Sequence, residues 1–360
     1  MRTAVSYRPP QPKELAQCAL VWYSAVDDYM ARLGRPLPPP YLDPLLDLLR
    51  HLLATDPERF VVAMGPARGV PPGSQTEDMV GFGIAVQREH VWFLSQLYVV
   101  PEEQHRGIGR ALLTQILPSL PAGDEGAATA ANGALAGNGA LAGNGALAGN
   151  GTLAAVPAVP GILATCTDSA QPMSNGLYSR FGIVPRLPVF NLVGYGRPGI
   201  LPPLPAGITA TAFAELEHGP NAAQGSGTAW LADTIAAIDR DVLGYAHPQD
   251  HAYLRANSRS GFLYRTAGGL PIGYGYHSEA GRFGPVALLD ETLTAPAIGH
   301  LLAAIQSRGA TTVWVPGAND RAMVAFLRAG LRIEGFPAQL CWTRPFATFD
   351  RYLPAGLALL

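Results

Sequence analysis

The stretch from Leu97 to Leu113 constrains the fold of this 360-residue chain more than any other part of it. It reads LYVVPEEQHRGIGRALL, and an apolar run rich in β-branched and aromatic residues leads into it. Such a run predicts a buried strand, which Pro101 ends because proline has no backbone N–H to continue a ladder. Apolar residues then recur at helical spacing from Ile108 onward. We therefore predict a strand, a glycine-rich turn and the N-terminus of a helix.

This turn has the composition of an anion-binding site. The first N–H groups of a helix have no partner inside it and the helix dipole is positive there, so a phosphate can bind to them. Gly107 and Gly109 have no Cβ, which lets a pyrophosphate approach the backbone, and Arg106 and Arg110 add positive charge. Two other phosphate motifs do not fit. The G-x-x-x-x-G-K-[ST] pattern does not occur, and Leu112 occupies the third glycine position of G-x-G-x-x-G.

The order V-V-P, Q-x-x-G-x-G and amphipathic helix resembles the acetyl-CoA pyrophosphate loop of the GNAT superfamily of N-acetyltransferases. The resemblance implies that acetyl-CoA is the co-substrate, bound by the end of the strand and by the turn, and that no metal is needed. The residues to which it assigns cofactor binding are Tyr98, Val99, Val100, Gln104, His105, Arg106, Gly107, Ile108, Gly109 and Arg110.

A second family pattern follows the strand that we predict over residues 161–167. In GNAT proteins the next helix ends in N-x-x-A-x-x-x-Y-x-x-x-G-F; here Tyr178 and Gly182 keep their places, while Gln171 and Ser174 replace the Asn and the Ala. The resemblance implies direct attack of an amine on the thioester, after which a tyrosine hydroxyl protonates the leaving thiolate. Tyr178 is the expected catalytic donor. The alternative is a core tyrosine with a satisfied hydroxyl.

The general base is not identified by the sequence. Many GNAT proteins carry a carboxylate two residues before the V-x-P, and that position is Leu97 here. Glu89 and His90, at a predicted hairpin tip, are two candidates, and proton loss to water through a relay is a third.

The same order of elements returns after a proline-rich segment. We expect a catalytic, CoA-binding domain over residues 1–197 with a low-complexity NGALAG insert at about 121–160, a linker over 198–205, and a degenerate copy over 206–360. In the second copy, Asp290 and Glu291 stand where a pyrophosphate needs donors, so CoA binding is not expected there. The predicted fold class is α/β, in the form of the α+β GNAT fold: two tandem acyl-CoA N-acyltransferase-like domains, each a mixed central sheet flanked by helices.

The composition and net charge of the chain limit the classes of binding partner and the cellular compartment that we expect. With 48% hydrophobic and 14% charged residues and a net charge of -2, the chain is globular and has no general attraction to nucleic acid or to anionic membranes. Its 3 cysteines form no C-x-x-C pair, and no signal peptide or spanning segment is recognised, so we expect a cytoplasmic protein without a zinc site.

One histidine pair remains to be interpreted. His247 and His251 are four residues apart, near Asp239, but Pro248 between them argues against a helix that presents both to a metal. A surface or acceptor-pocket cluster is the expected role.

The expected function is transfer of an acetyl group from acetyl-CoA to a primary amine of an unidentified small molecule or protein. Paired GNAT-like domains imply that the second copy completes the acceptor pocket or stands in for a dimer partner. The chain is then expected to be either a monomer whose two domains form a pseudo-dimer or a homodimer. The alternative is a non-catalytic acyl-CoA-binding or assembly module with a GNAT-like fold.

Overall fold

The structure, a computed structural model, describes residues 5–67, 77–118, 161–218 and 226–360. The predicted loop over 65–78 lies partly outside the described residues, and the NGALAG insert lies wholly outside them. No helix in these four ranges is long and apolar enough to cross a lipid bilayer.

The N-terminal half has the predicted order of strands and helices. Its strands are β1 Ser6–Arg8, β2 Phe60–Pro66, β3 Glu77–Arg88, β4 Val91–Val99, β5 Ile162–Asp168 and β6 Val184–Gly194. Its helices are α1 Leu15–Arg32, α2 Asp43–Thr55, α3 Ile108–Ile116 and α4 Pro172–Ser179. The helices pack on the sheet through the apolar positions that recur every three or four residues; Cys18, Leu49 and Leu112 are fully buried at these positions.

The C-terminal half repeats this order, so the predicted duplication is confirmed. Its strands are β7 Ile208–Ala212, β8 Ser260–Thr266, β9 Pro271–His277, β10 Phe283–Leu288, β11 Thr311–Pro316, β12 Arg332–Ile333, β13 Ala338–Trp342 and β14 Tyr352–Leu353. Its helices are α5 Phe213–His218, α6 Ser226–Leu243, α7 Pro248–Ala256, α8 Thr294–Ala304 and α9 Asp320–Arg328.

The second half contributes strands to the sheet of the first half. Within the described residues, nine strands form one sheet, ordered β1-β2-β3-β4-β5-β13-β6-β11 with β12 beside β6. The late strand β13 of the second half runs antiparallel to β5 and β6 of the first, and β6 in turn pairs with β11. The halves therefore cannot separate without breaking backbone hydrogen bonds within this sheet. The boundary at 198–205 stays a prediction.

A second sheet, ordered β14-β10-β9-β8-β7, belongs to the C-terminal half alone. In the first sheet β4 and β5 are parallel, whereas the other paired strands are antiparallel. The first sheet is therefore mixed, and the predicted GNAT-like fold class is confirmed. The prediction of a mixed sheet in each domain was wrong for the second sheet, whose described strand pairs are all antiparallel.

Candidate active site

β4 and β5 diverge just before the glycine-rich turn. Their parallel pairing joins Val91–Leu94 to Ile162–Thr165. Against β3, the register shifts immediately after Leu94, so that Ser95 is an additional residue in β4 and forms a β-bulge. Beyond the bulge, β4 lies along a cleft of about 2270 Å³.

Both halves of the chain line this cleft. The first half contributes the end of β4, the glycine-rich turn, the end of β5 and one face of α4. The second half contributes residues that include Arg255, Arg259, Phe262, Arg282 and Gly356. The second copy thus forms a wall of the cleft that begins at the glycine-rich turn, which is the arrangement expected if it completes an acceptor pocket.

The glycine-rich turn leaves the N-terminus of α3 open. The chain reverses through positive φ angles at His105 (62°) and at Gly107 (83°), the residue before the helix. The first helical hydrogen bond runs from the N–H of Ala111 to the carbonyl of Gly107 at 2.9 Å, and no side chain caps this helix end within the described residues. The N–H groups of Ile108 and Gly109 precede that bond, so they can donate to an anion in the cleft.

Gly107 and Gly109 are glycines for different reasons. The positive φ of Gly107 is a conformation that other residues adopt only with strain. Gly109 has no such φ, and a Cβ there would lie 3.8 Å from Val99 Cγ2 and 3.9 Å from Leu177 Cδ2, which are ordinary contacts. Neither the backbone nor the packing requires a glycine at 109, and its missing side chain leaves space in the cleft beside the open helix end.

The other predicted cofactor-binding residues divide into two groups. Eight residues line the cleft: Tyr98, Val99, Gln104, His105, Gly107, Ile108, Gly109 and Arg110. Val100 and Arg106 are not among the lining residues. The N–H of Val100 donates to the carbonyl of Val80 at 3.0 Å, and the Arg106 guanidinium pairs with Glu103.

Gln104 has a structural role in the turn. Its Nε2 donates to the carbonyl oxygen of Val99 at 3.0 Å and so holds the turn against the end of β4.

Tyr178 lies at the cleft with its side chain 5% exposed. Burial and then the nearby Tyr98 raise the pKa of its hydroxyl, and a hydrogen bond with Ser174 offsets only part of that rise. The hydroxyl is therefore protonated at neutral pH and can donate a proton. The corresponding residue of the second half, Phe326, is fully buried against Phe283, with ring centroids 5.0 Å apart.

The candidate bases at the hairpin tip do not reach the cleft. Glu89 pairs with Arg240 at 2.8 Å, and neither Glu89 nor His90 lines the cleft. Gln96, which the sequence analysis did not single out, does line it. Gln96 is 5% exposed and its Oε1 accepts no hydrogen bond from the described residues. A buried acceptor without a donor is destabilising, so this oxygen is suited to a substrate N–H. The sequence feature that could have identified Gln96 is the polar pair Ser95-Gln96 within an otherwise apolar strand.

In the second half, the turn that corresponds to the glycine-rich turn is already capped. The Asp290 Oδ1 accepts from the backbone N–H of Thr292 at 2.8 Å and from its hydroxyl at 2.7 Å. Glu291 pairs with Arg321 at 3.0 Å. A carboxylate therefore occupies one backbone N–H of this turn and places negative charge there, which agrees with the prediction that this copy does not bind CoA.

The interpretation of His247 and His251 as a surface or acceptor-pocket cluster was wrong. They are 1% and 2% exposed and are not among the residues lining the cleft. Pro248 does not prevent a helix from forming here, because it is the first residue of α7. At that position a backbone N–H would have no partner inside the helix, so its absence does not destabilise the helix.

Comparisons with known proteins give one family-model match for part of the chain and structural neighbours for nearly all of it. Residues 23–130 match the model of the acetyltransferase (GNAT) family. A putative acetyltransferase from Pyrococcus horikoshii superposes with a TM-score of 0.61 at 12% identity, over 97% of this chain and 92% of that chain. A GCN5-related N-acetyltransferase from Sphaerobacter thermophilus gives a TM-score of 0.54 at 13% identity, over 95% and 96% of the two chains. At these identities the likeness shows the fold alone. No curated protein matches the sequence.

Proposed function

Because residues 23–130 match the acetyltransferase (GNAT) family model, we propose that this chain transfers an acetyl group from acetyl-CoA to a primary amine. The observation that carries the proposal is the open N-terminus of α3, which faces the cleft beside a glycine that the protein itself does not require. The acceptor is an amine of a small molecule or a protein, and the compartment is the cytoplasm, which agrees with the free cysteines.

Each step of the transfer has a residue suited to it. The pyrophosphate accepts hydrogen bonds from the N–H groups of Ile108 and Gly109, near the Arg110 guanidinium. The pantetheine arm runs along β4 beyond the bulge at Ser95. The amine nitrogen attacks the thioester carbonyl carbon, the C–S bond breaks, and the Tyr178 hydroxyl protonates the leaving thiolate. The amine releases its own proton to water.

The Oε1 of Gln96 is the acceptor that we assign to a substrate N–H, either of the pantetheine or of the attacking amine. It has no donor among the described residues, and it lies on the strand where the sheet opens. None of these steps needs a metal ion.

Replacing Gly109 by alanine should raise the Kd for CoA at least about tenfold, or about 1.4 kcal/mol, because the methyl group occupies the space of the pyrophosphate. The fold should not suffer, because the new Cβ makes ordinary contacts and alanine favours a helix over glycine by about 0.5–1 kcal/mol. Isothermal titration calorimetry with CoA and a thermal melt measure the two effects separately.

Gly199→Ala is the matched control, because its Cβ would contact nothing within 4 Å and the residue lies outside the cleft. It should leave the affinity for CoA unchanged. Undiminished CoA binding by Gly109→Ala would contradict the proposed pyrophosphate site.

CoA should bind with a stoichiometry of one per chain, since the carboxylates of Asp290 and Glu291 at the second turn would repel a pyrophosphate. The same calorimetric titration gives the stoichiometry. A value of two would show that the second copy retains a CoA site.

The second candidate function is a non-catalytic acyl-CoA-binding module. It is favoured by one observation: β4, which reads VWFLSQLYV, contains no carboxylate that could act as a general base. Thiol release from acetyl-CoA with a panel of amino acids, polyamines, aminoglycosides and N-terminal peptides separates the two candidates. CoA binding without thiol release above the enzyme-free rate for every amine would favour the binding module.

A further inference from the structure

A compact group of metal-ligating side chains lies inside the second half, apart from the cleft. Asp239 is on α6, His247 immediately precedes α7, and His251 is on the first turns of α7. They are 0%, 1% and 2% exposed. One potential ligand atom from each residue lies within 4.8 Å of those of the other two.

The side chain of His247 has no hydrogen-bond partner among the described residues, although both of its ring nitrogens are buried. Its Nε2 lies 3.5 Å from Asp239 Oδ2 and its Nδ1 lies 3.7 Å from Asp250 Oδ2. Both distances exceed those of protein hydrogen bonds. A buried polar atom without a hydrogen-bond partner lowers the stability of the fold by about 1–3 kcal/mol. Two such atoms on one ring therefore suggest that a bound group contacts this ring.

His251 is within hydrogen-bond distance of Asp239, and the spacing of the three ligand atoms also suits a bound ion. The Nε2 of His251 is 3.0 Å from the same Asp239 oxygen, and that of His247 is 3.5 Å from it. Zinc bonds of about 2.0–2.1 Å at a tetrahedral angle place two ligand atoms about 3.3 Å apart, between these two values. We propose that Asp239, His247 and His251 bind a divalent transition-metal ion, for which zinc is the best-fitting candidate.

The neighbouring residues already hold two of the ligands in the orientation that metal binding requires. The Tyr274 hydroxyl donates to the other Asp239 oxygen at 2.6 Å, and His251 Nδ1 lies 3.1 Å from the Tyr276 hydroxyl. If Nδ1 carries the His251 proton, Nε2 is left with a lone pair directed at the ion. Such outer contacts fix the tautomer and the ring in metal sites.

The proposed ion has a structural role. Asp250, three residues after His247, accepts hydrogen bonds from Arg88 Nη2 and His51 Nε2 of the first half, both at 2.8 Å. An ion that joins α6 to α7 would therefore stabilise α7, the helix through which Asp250 contacts the first half. This role is independent of the proposed acetyl transfer, and it departs from the sequence-based expectation of no metal.

The test uses the full chain without a histidine tag, stripped with EDTA and dialysed against ZnCl2. Elemental mass spectrometry should find about one zinc per chain, and zinc should raise Tm relative to the stripped protein. His247→Ala should lose at least nine-tenths of the bound zinc and the rise in Tm. Asp239→Asn, which preserves side-chain volume, should do the same if His247→Ala folds poorly.

His300→Ala is the matched control, because this partly buried histidine of the same half contacts Tyr264 and is not in the group. It should keep both the zinc and the rise in Tm. Loading the stripped protein with Co²⁺ should give the visible absorption of a tetrahedral cobalt site, and His247→Ala should not. The proposal is overturned if the wild-type chain binds no zinc, or if His247→Ala and Asp239→Asn bind as much as His300→Ala does. CoA titration of the stripped protein tests the acetyl-CoA site separately.

Discussion

Replacing Tyr178 by phenylalanine should lower kcat for amine acetylation about 100-fold or more, which is the low end of the range for a lost general acid. Only the hydroxyl is removed, and the buried ring keeps its contacts, so the fold and the KM for acetyl-CoA should change little. Thiol release is measured with saturating acetyl-CoA and the amine of the panel that gives the fastest release.

The pH profile provides a second test of the same residue. Burial raises the pKa of the Tyr178 hydroxyl above its usual value of about 10. An acid catalyst is active while protonated and loses activity as pH rises through its pKa. Since that pKa lies above 10, Tyr178 should cause no fall in kcat between pH 6 and about 10, and the loss in Tyr178→Phe should be similar throughout this interval.

Tyr264→Phe is the matched control for this substitution. Tyr264 is 1% exposed, lies in the second half outside the cleft, and places its hydroxyl 3.2 Å from His300. Its kcat should stay within about twofold of the wild-type value, because removal of one neutral hydrogen bond costs only about 1 kcal/mol of stability. If Tyr178→Phe keeps the full rate at every pH, Tyr178 is not the proton donor.

The features that the sequence predicted correctly are local ones. The strand, turn and helix around Gly107 depend on residues within about 17 positions of one another, and the positive φ at Gly107 follows from its own lack of a Cβ. Hydrophobic periodicity likewise depends on neighbouring residues, so α3 begins at Ile108, where the apolar spacing predicted it.

The features that the sequence did not predict depend on distant residues. Apolar alternation indicates a strand but not its partner, so nothing in residues 338–342 shows that β13 is inserted between β5 and β6. The buried histidine group was missed for a different reason. Pro248 was read as a helix breaker, but whether a proline ends a helix or begins one depends on its position in the first turn.

Arg88 joins the two halves through a buried network. It is 4% exposed, and its Nε and Nη2 donate to the two oxygens of Asp250 on α7, both at 2.8 Å. Its Nη1 donates to Asp56 at the end of α2, also at 2.8 Å. Both carboxylates are 2% exposed. One guanidinium thus pairs with two buried carboxylates, one from each half.

Replacing Arg88 by leucine should lower the stability by about 3–5 kcal/mol, because it removes the guanidinium that is hydrogen-bonded to two buried carboxylates. A thermal melt at pH 7 should show Tm lower by roughly 4–7 °C. Arg308→Leu is the matched control. Arg308 pairs with Glu279 on the surface, where their side chains are 84% and 62% exposed, so its loss should cost less than about 0.5 kcal/mol.

The pH dependence distinguishes a lost counter-ion from simple loss of packing. In the wild-type chain burial by itself raises the pKa of Asp250, but the hydrogen bonds from Arg88 hold it well below its usual value. This contribution to stability is present above about pH 4 and is lost as pH falls through the lowered pKa. Without Arg88, burial raises that pKa, and the resulting penalty is present at neutral pH and absent below about pH 4. The difference in Tm between wild type and Arg88→Leu should therefore be largest near pH 7 and shrink towards pH 4, whereas a packing defect alone would give the same difference at both.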